Sequence, residues 1–177
     1  MTDDRERPTG TQAVPTIGQI WRQLPLERRQ AMLEDFWQDE ESGDQQVEAL
    51  ALLVQRFKFR PKTARTLPVG KKVRYLVGMS SLPDSIAARA LVSHHFLHQR
   101  PMMVAFLDAL GLTHENGVIS DEVVKPDPEK LNAAVSTIAA AYPREEVALY
   151  LATLAAQDAE AWGALADRVE AKPSPEA

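Results

Sequence analysis

The sequence predicts an all-α fold. Three observations carry that prediction: prolines stand where helices should begin, apolar residues recur at three- and four-residue spacings, and alternating apolar–polar segments are nearly absent. The expected architecture is a compact bundle of about nine short helices paired as helical hairpins. A regular solenoid is disfavoured, because the segments opened by Leu-Pro or Tyr-Pro are irregularly spaced and share no repeat signature.

Taken in order, Thr16-x-x-Gln19 has capping-box form and opens a helix whose face is Ile17, Ile20, Trp21 and Leu24. Pro25 opens the next helix, and Ser42-x-x-Gln45, again of capping-box form, precedes the face Val47, Leu50, Val54 and Phe57. Pro68 introduces Val69, Val73 and Leu76; Pro83 introduces the helix that runs from Ile86 through the histidines; Pro101 leads to Leu110. Gly111 then reads as a left-handed C-cap, with Leu112 packing back on the last turn. Asn116-Gly117, set between Leu112-Thr113-His114 and Val118-Ile119-Ser120, allows one tiny β-hairpin. Asp127-Pro128-Glu129 reads as N-cap, first position and acidic first turn of a helix faced by Leu131, Val135 and Ile138. Pro143 opens the face Val147, Leu151 and Leu154, and Trp162, Leu165 and Val169 complete the pattern. Each apolar set is expected to be a buried face. Residues 15–170 are expected to form a single helical domain, with 1–14 and 171–177 loosely attached because they lack apolar periodicity.

A chain of 177 residues suffices for one ordinary core but not for two large domains. Its 45% hydrophobic and 25% charged residues are average for globular proteins, which argues against global disorder, and its apolar runs are too short to span a bilayer. Without cysteine it has no disulfide, thiolate nucleophile or cysteine-held zinc. With a charged start lacking a secretory h-region, a cytoplasmic location is the expectation. The net charge of −5 hides a polarity: no Asp or Glu occurs between Glu48 and Asp84, where Arg56, Lys58, Arg60, Lys62, Arg65, Lys71, Lys72 and Arg74 lie. The other 12 basic residues face all 25 acids, so an acidic protein carries one basic segment.

Three of the four histidines fall in Ser93-His94-His95-Phe96-Leu97-His98. At about 100° per residue, His94 and His98 lie about 80° and 120° from Ile86, inside the apolar face, whereas His95 at about 180° belongs to an edge or the surface. Two histidines at this i, i+4 spacing can aim ring nitrogens at one ion, and a third ligand must come from elsewhere. His114, Glu115, Asp108 and Asp121 are the candidates that follow in sequence. The pair superficially resembles the His-x-x-x-His of DinB-type helical metal proteins, but those add a histidine from an earlier helix, and none precedes residue 94 here. Metalloprotease helices carry glutamate where this chain has His95. Hydrogen-bonded structural histidines are the favoured expectation over a metal site.

In the basic segment, cations interleave with Phe57, Phe59 and Tyr75, the composition that phosphate contacts and base stacking both use. A solvated or internally paired face is nonetheless preferred, because a pI near 5.4 is unlike most nucleic-acid binders. No phosphate loop, nucleophile elbow or dinucleotide fingerprint is present. The functional expectation is therefore a helical interaction or adaptor domain without catalytic activity and without cofactor. Its partner would be another protein, with nucleic acid admitted but not favoured, and no membrane. The alternative is a zinc-type metal-binding bundle, extending to a metal-assisted hydrolase, that uses His94 and His98 with His114, Glu115 and Asp108.

Overall fold

The computed structural model describes residues 13–120, 122 and 125–169. The expected loose termini fall outside these residues, 13 and 14 apart, as does Asp121. Helices dominate, in the order α1 (Ile17–Gln23), α2 (Leu26–Gln38), α3 (Gly43–Phe57), α4 (Pro61–Thr66), α5 (Val69–Val77), α6 (Asp84–His98), α7 (Arg100–Leu110), α8 (Pro128–Ala141) and α9 (Arg144–Gln157). Two short pieces follow, α10 (Ala159–Trp162) and α11 (Ala166–Val169), and a two-stranded antiparallel ribbon, β1 (His114–Glu115) and β2 (Val118–Ile119), lies between α7 and α8. No described helix is long and apolar enough to cross a membrane.

Local chemistry explains most boundaries. The Thr16 hydroxyl accepts from the Gln19 N–H while the Gln19 side chain accepts from the Thr16 N–H, so the first capping box is complete. Asp127 caps α8 by accepting from the N–H groups of Glu129 and Lys130. Gly111 closes α7 at φ 69°, and the Leu112 N–H reaches back to the Leu107 carbonyl. Asn116 and Gly117, both at positive φ, make the hairpin turn. A Cβ on Gly117 would stand 3.3 Å from the Met103 Cβ and strain the backbone at φ 91°, so glycine suits the close approach of the turn to α7.

Four expectations need correction. The Ser42 capping box does not form, because the Ser42 hydroxyl is engaged with Asp39, Ser93 and Arg89 instead of a helix N–H. Helix α3 buries Ala49 and Leu53 and leaves Val47 and Phe57 exposed, since it packs as an outer helix on a narrower stripe than the Val47–Phe57 set supposed. Val69 is likewise exposed, at the start of α5. Helix α4 was not foreseen, because its one apolar residue, Ala64, makes no periodic signal.

Two apolar clusters build the interior. One joins α1, α2, α3, α5 and α6 around Phe36, Met32, Leu53 and Ile86; the other joins α7, α8, α9 and the C-terminal turns around Phe106, Tyr150 and Trp162. Helices α6 and α9 pack on each other where the clusters meet, and α6 also packs against α1, α2 and α3. Helix α6 is therefore buried on more than one side, which decides how its histidines are placed.

Candidate metal centre

Helix α2 carries Arg28, Met32 and Asp35 on one stripe, four and three residues apart, with Asp39 as its C-cap, so polar and apolar groups share its inward face. That face meets α6. The Asp35 carboxylate, buried, receives both histidines: His94 Nδ1 lies 3.0 Å from Oδ2 and His98 Nε2 lies 2.9 Å from Oδ1. Among the described residues this is the group of three metal-capable side chains with donor atoms close enough to share an ion. The His98 side chain is 51% exposed while that of His94 is 13% exposed, so the cluster opens to solvent on the His98 side.

Behind His94 stands a second carboxylate. His94 Nε2 is 3.5 Å from Glu146 Oε2, and both atoms are buried without a hydrogen-bond partner of good geometry. Arg28 holds the other oxygen of Glu146 at 2.6 Å and lies 3.8 Å from the exposed Glu145. His94 is thus set between two carboxylates. A neutral imidazole has one N–H and one lone pair, so it satisfies one of them and turns a lone pair on the other. A metal ion between Nδ1 and Asp35 would resolve the conflict, leaving the Nε2–H for Glu146. Asp35, Glu146 and Arg28 sum to one negative charge, which favours a cation there.

One turn away, Asp39 anchors a polar network. It accepts from Ser93 Oγ at 2.6 Å, from Arg89 Nη2 at 2.7 Å, from Ser42 Oγ at 3.0 Å and from the Glu41 N–H at 3.0 Å. Burial alone would raise the Asp39 carboxyl, but hydrogen bonds from Ser93, Glu41, Ser42 and Arg89 outweigh it and hold the group below its ordinary value. The network fixes α6 in rotation, because Arg89 and Ser93 precede the histidines on the same helix.

His95 departs from the expected surface position: it is 2% exposed and faces α9. The angular argument assumed one apolar face, whereas α6 is covered on several sides. His95 Nε2 lies 3.4 Å from Thr153 Oγ1, whose own proton goes to the Leu149 carbonyl at 2.7 Å, so Nε2 donates and Nδ1 is left without a partner. Burial, with smaller contributions from His94 and Arg28, pushes the imidazole down to about 3. Burial also raises the neighbouring Tyr150 hydroxyl, whose ring packs edge-on against His95.

Of the six candidates named from sequence, Asp121 lies outside the described residues and the fold brings together His94 and His98. His114 joins instead with Asp108, Nε2 to Oδ1 at 2.9 Å, and its Nδ1 accepts from the Gly117 N–H; Glu115 is exposed on β1. These residues latch the hairpin to α7. Asp35, which sequence reasoning missed, takes their place beside the histidines. The signal for it was present as a carboxylate between Met32 and Phe36 on the apolar stripe of α2.

The eight cations of the basic segment divide unequally. Arg56, Lys58, Arg60, Lys62, Arg65, Lys71 and Arg74 are exposed, while Lys72 is buried. The Lys72 ammonium donates to the Arg65 carbonyl at 3.0 Å and lies 4.8 Å over the Trp37 ring, and burial lowers it from the usual lysine value. Lys72 is therefore removed from the expected anion-binding set: its charge is spent inside the fold. Ion pairs among the described residues use Arg28, Arg89 and the histidines, so the acids of α2 do not neutralise the basic segment.

No known protein family matches the chain, and no curated protein or solved structure matches it either.

Proposed function

We propose that this protein is a helical metal-binding protein that takes a divalent ion such as zinc through Asp35, His94 and His98. The observation that supports this reading is the convergence of a buried carboxylate from α2 with an i, i+4 histidine pair from α6. Imidazole and carboxylate suit zinc and neighbouring transition metals, and three protein ligands leave a solvent position on the open His98 side. Glu146 has the place of the carboxylate that commonly accepts the second N–H of a ligating histidine and so fixes its tautomer.

The chemistry proposed is binding, not hydrolysis. Glu146 is held by Arg28 and stands behind His94, on the side away from Asp35, while Asp108 on α7 pairs with His114 and Glu115 is exposed on β1, which leaves no one of these acids facing the position between Asp35, His94 and His98 as a base. A second reading is favoured by the short distances: in a tetrahedral zinc site the donor atoms stand about 3.3 Å apart, and here they are 2.9 and 3.0 Å. In that reading Asp35 accepts a hydrogen bond from each imidazole and the cluster serves only to join α6 to α2, within an interaction domain.

Titration calorimetry with zinc separates the two. The metal reading expects one saturable site per chain, weakened at least about 100-fold by Asp35→Asn or His98→Ala and about 10-fold by Glu146→Gln. Asp35→Asn retains the size of the side chain, so loss of binding would not reflect collapse. Absence of stoichiometric binding, or equal affinity in these variants, sinks the metal reading and leaves the structural cluster.

A further inference from the structure

Beyond the metal centre, we infer that the corner where α3, α4 and α5 meet binds single-stranded nucleic acid. Seven exposed cations from Arg56 to Arg74 are carried by these helices and their links, in a stretch of chain without an acid from residue 49 to 83. Amid them the rings of Phe57, Phe59 and Tyr75 form a cluster, with centroids 4.7 Å apart for Phe57 and Tyr75 and 5.1 Å for Phe59 and Tyr75. Phe57, at the end of α3, is 37% exposed beside these charges. Charge explains an anionic partner; an uncovered ring beside the charges explains a partner with flat faces to stack.

A third observation is independent of both. Lys58, the residue that closes α3, holds the left-handed conformation at φ 58° and ψ 28°. Glycine is the residue that occupies this position without strain, and Gly111 does so at the end of α7. Lys58 thus holds a conformation that glycine adopts with less strain, directly beside Phe57 and between Arg56 and Arg60. Nucleic-acid phosphates would be held by these cations while a base stacks on Phe57. Duplex DNA is a poorer fit, because its bases are already stacked and offer the ring no open face.

The test is fluorescence anisotropy of the full chain with a labelled 12-nucleotide oligothymidylate. If about four phosphates are engaged, raising salt from about 50 to about 200 mM weakens binding about 50-fold. Phe57→Leu should weaken it about tenfold by removing the stacking face. Lys58→Gly should weaken it about fivefold to tenfold at low salt while raising the melting temperature, so that lost binding and lost folding move in opposite directions. The inference is overturned by no binding at low salt, or by Phe57→Leu binding as well as the parent. It is also overturned if heparin of equal charge or phosphatidylserine vesicles compete better than the oligonucleotide. Salt-sensitive self-association through this corner, detected by sedimentation and abolished by Lys71→Glu with Arg74→Glu, would assign the surface to a second copy and overturn it too.

Discussion

Asp39→Ala removes the acceptor at the centre of the network that orients α6. The lost partners are the Ser93 hydroxyl, the Arg89 guanidinium, the Ser42 hydroxyl and the Glu41 N–H. Truncating one partner of a buried ion pair costs about 3–5 kcal/mol, and a buried hydroxyl left unpaired adds about 1–3 kcal/mol. Two features reduce that sum: the Arg89 side chain is 24% exposed and can find water, and the Ser42 and Ser93 hydroxyls lie 3.2 Å apart and can bond each other. A loss of about 2–4 kcal/mol is expected, which for a chain of this size lowers the melting temperature by about 5–15 °C. Urea and thermal unfolding followed by circular dichroism measure it. The same carboxylate gives a pH signature. Its folded-state pKa is depressed, so its contribution is present above the ordinary carboxylate range and is lost as pH falls through the lowered value. The stability gap between the parent and Asp39→Ala should therefore narrow below about pH 4. A loss under about 1 kcal/mol, the level of a surface ion pair, would refute the view that this network holds the histidine helix in place.

His95 titrates in the opposite sense from a stabilising imidazolium: it is held neutral down to about pH 3 in the fold but takes up a proton near 6.5 when unfolded. Stability should fall by roughly 1 kcal/mol per pH unit as acidity increases across that window, and His95→Gln should flatten the slope in denaturant titrations. Phe106→Ala, at the centre of the second apolar cluster and fully buried, should cost about 3–5 kcal/mol by calorimetry. Gly111→Ala forces a side chain into φ 69°, so a loss of about 1–2 kcal/mol is expected in the same assay. Lys72→Met should be close to neutral, within about 1 kcal/mol, because it gives up one hydrogen bond to the Arg65 carbonyl and the contact with Trp37 but retains the buried stem.

Much of the fold was legible because the signals are local. The Thr16 and Asp127 caps, the left-handed Gly111 and the Asn116-Gly117 turn each act within a few residues, and each formed as read. Ser42 did not, since its hydroxyl is claimed by Arg89 and Ser93 about fifty residues away. The site divides along the same line. His94 and His98 announced themselves by spacing on one helix, but Asp35 lies 59 residues from His94, and its pairing depends on which face of α2 meets α6. His95 was misplaced for a related reason: periodicity identifies one buried face, and α6, packed against α9 as well as α2, has more than one. Lys72 sits in a basic run that reads as solvated or internally paired, and which of the two holds for it depends on Trp37 from another helix and the Arg65 carbonyl.

The most direct measurement of the central claim is anomalous diffraction at the zinc edge from crystals grown with one equivalent of zinc. The metal-binding account predicts a single strong peak between α2 and α6, ~2.0–2.1 Å from His94 Nδ1 and His98 Nε2 and coordinated by Asp35, with the three side chains spread slightly to admit it. A map without density there, with the imidazole nitrogens still at 3.0 and 2.9 Å from the Asp35 oxygens, would contradict it and identify the cluster as a hydrogen-bonded clamp between two helices.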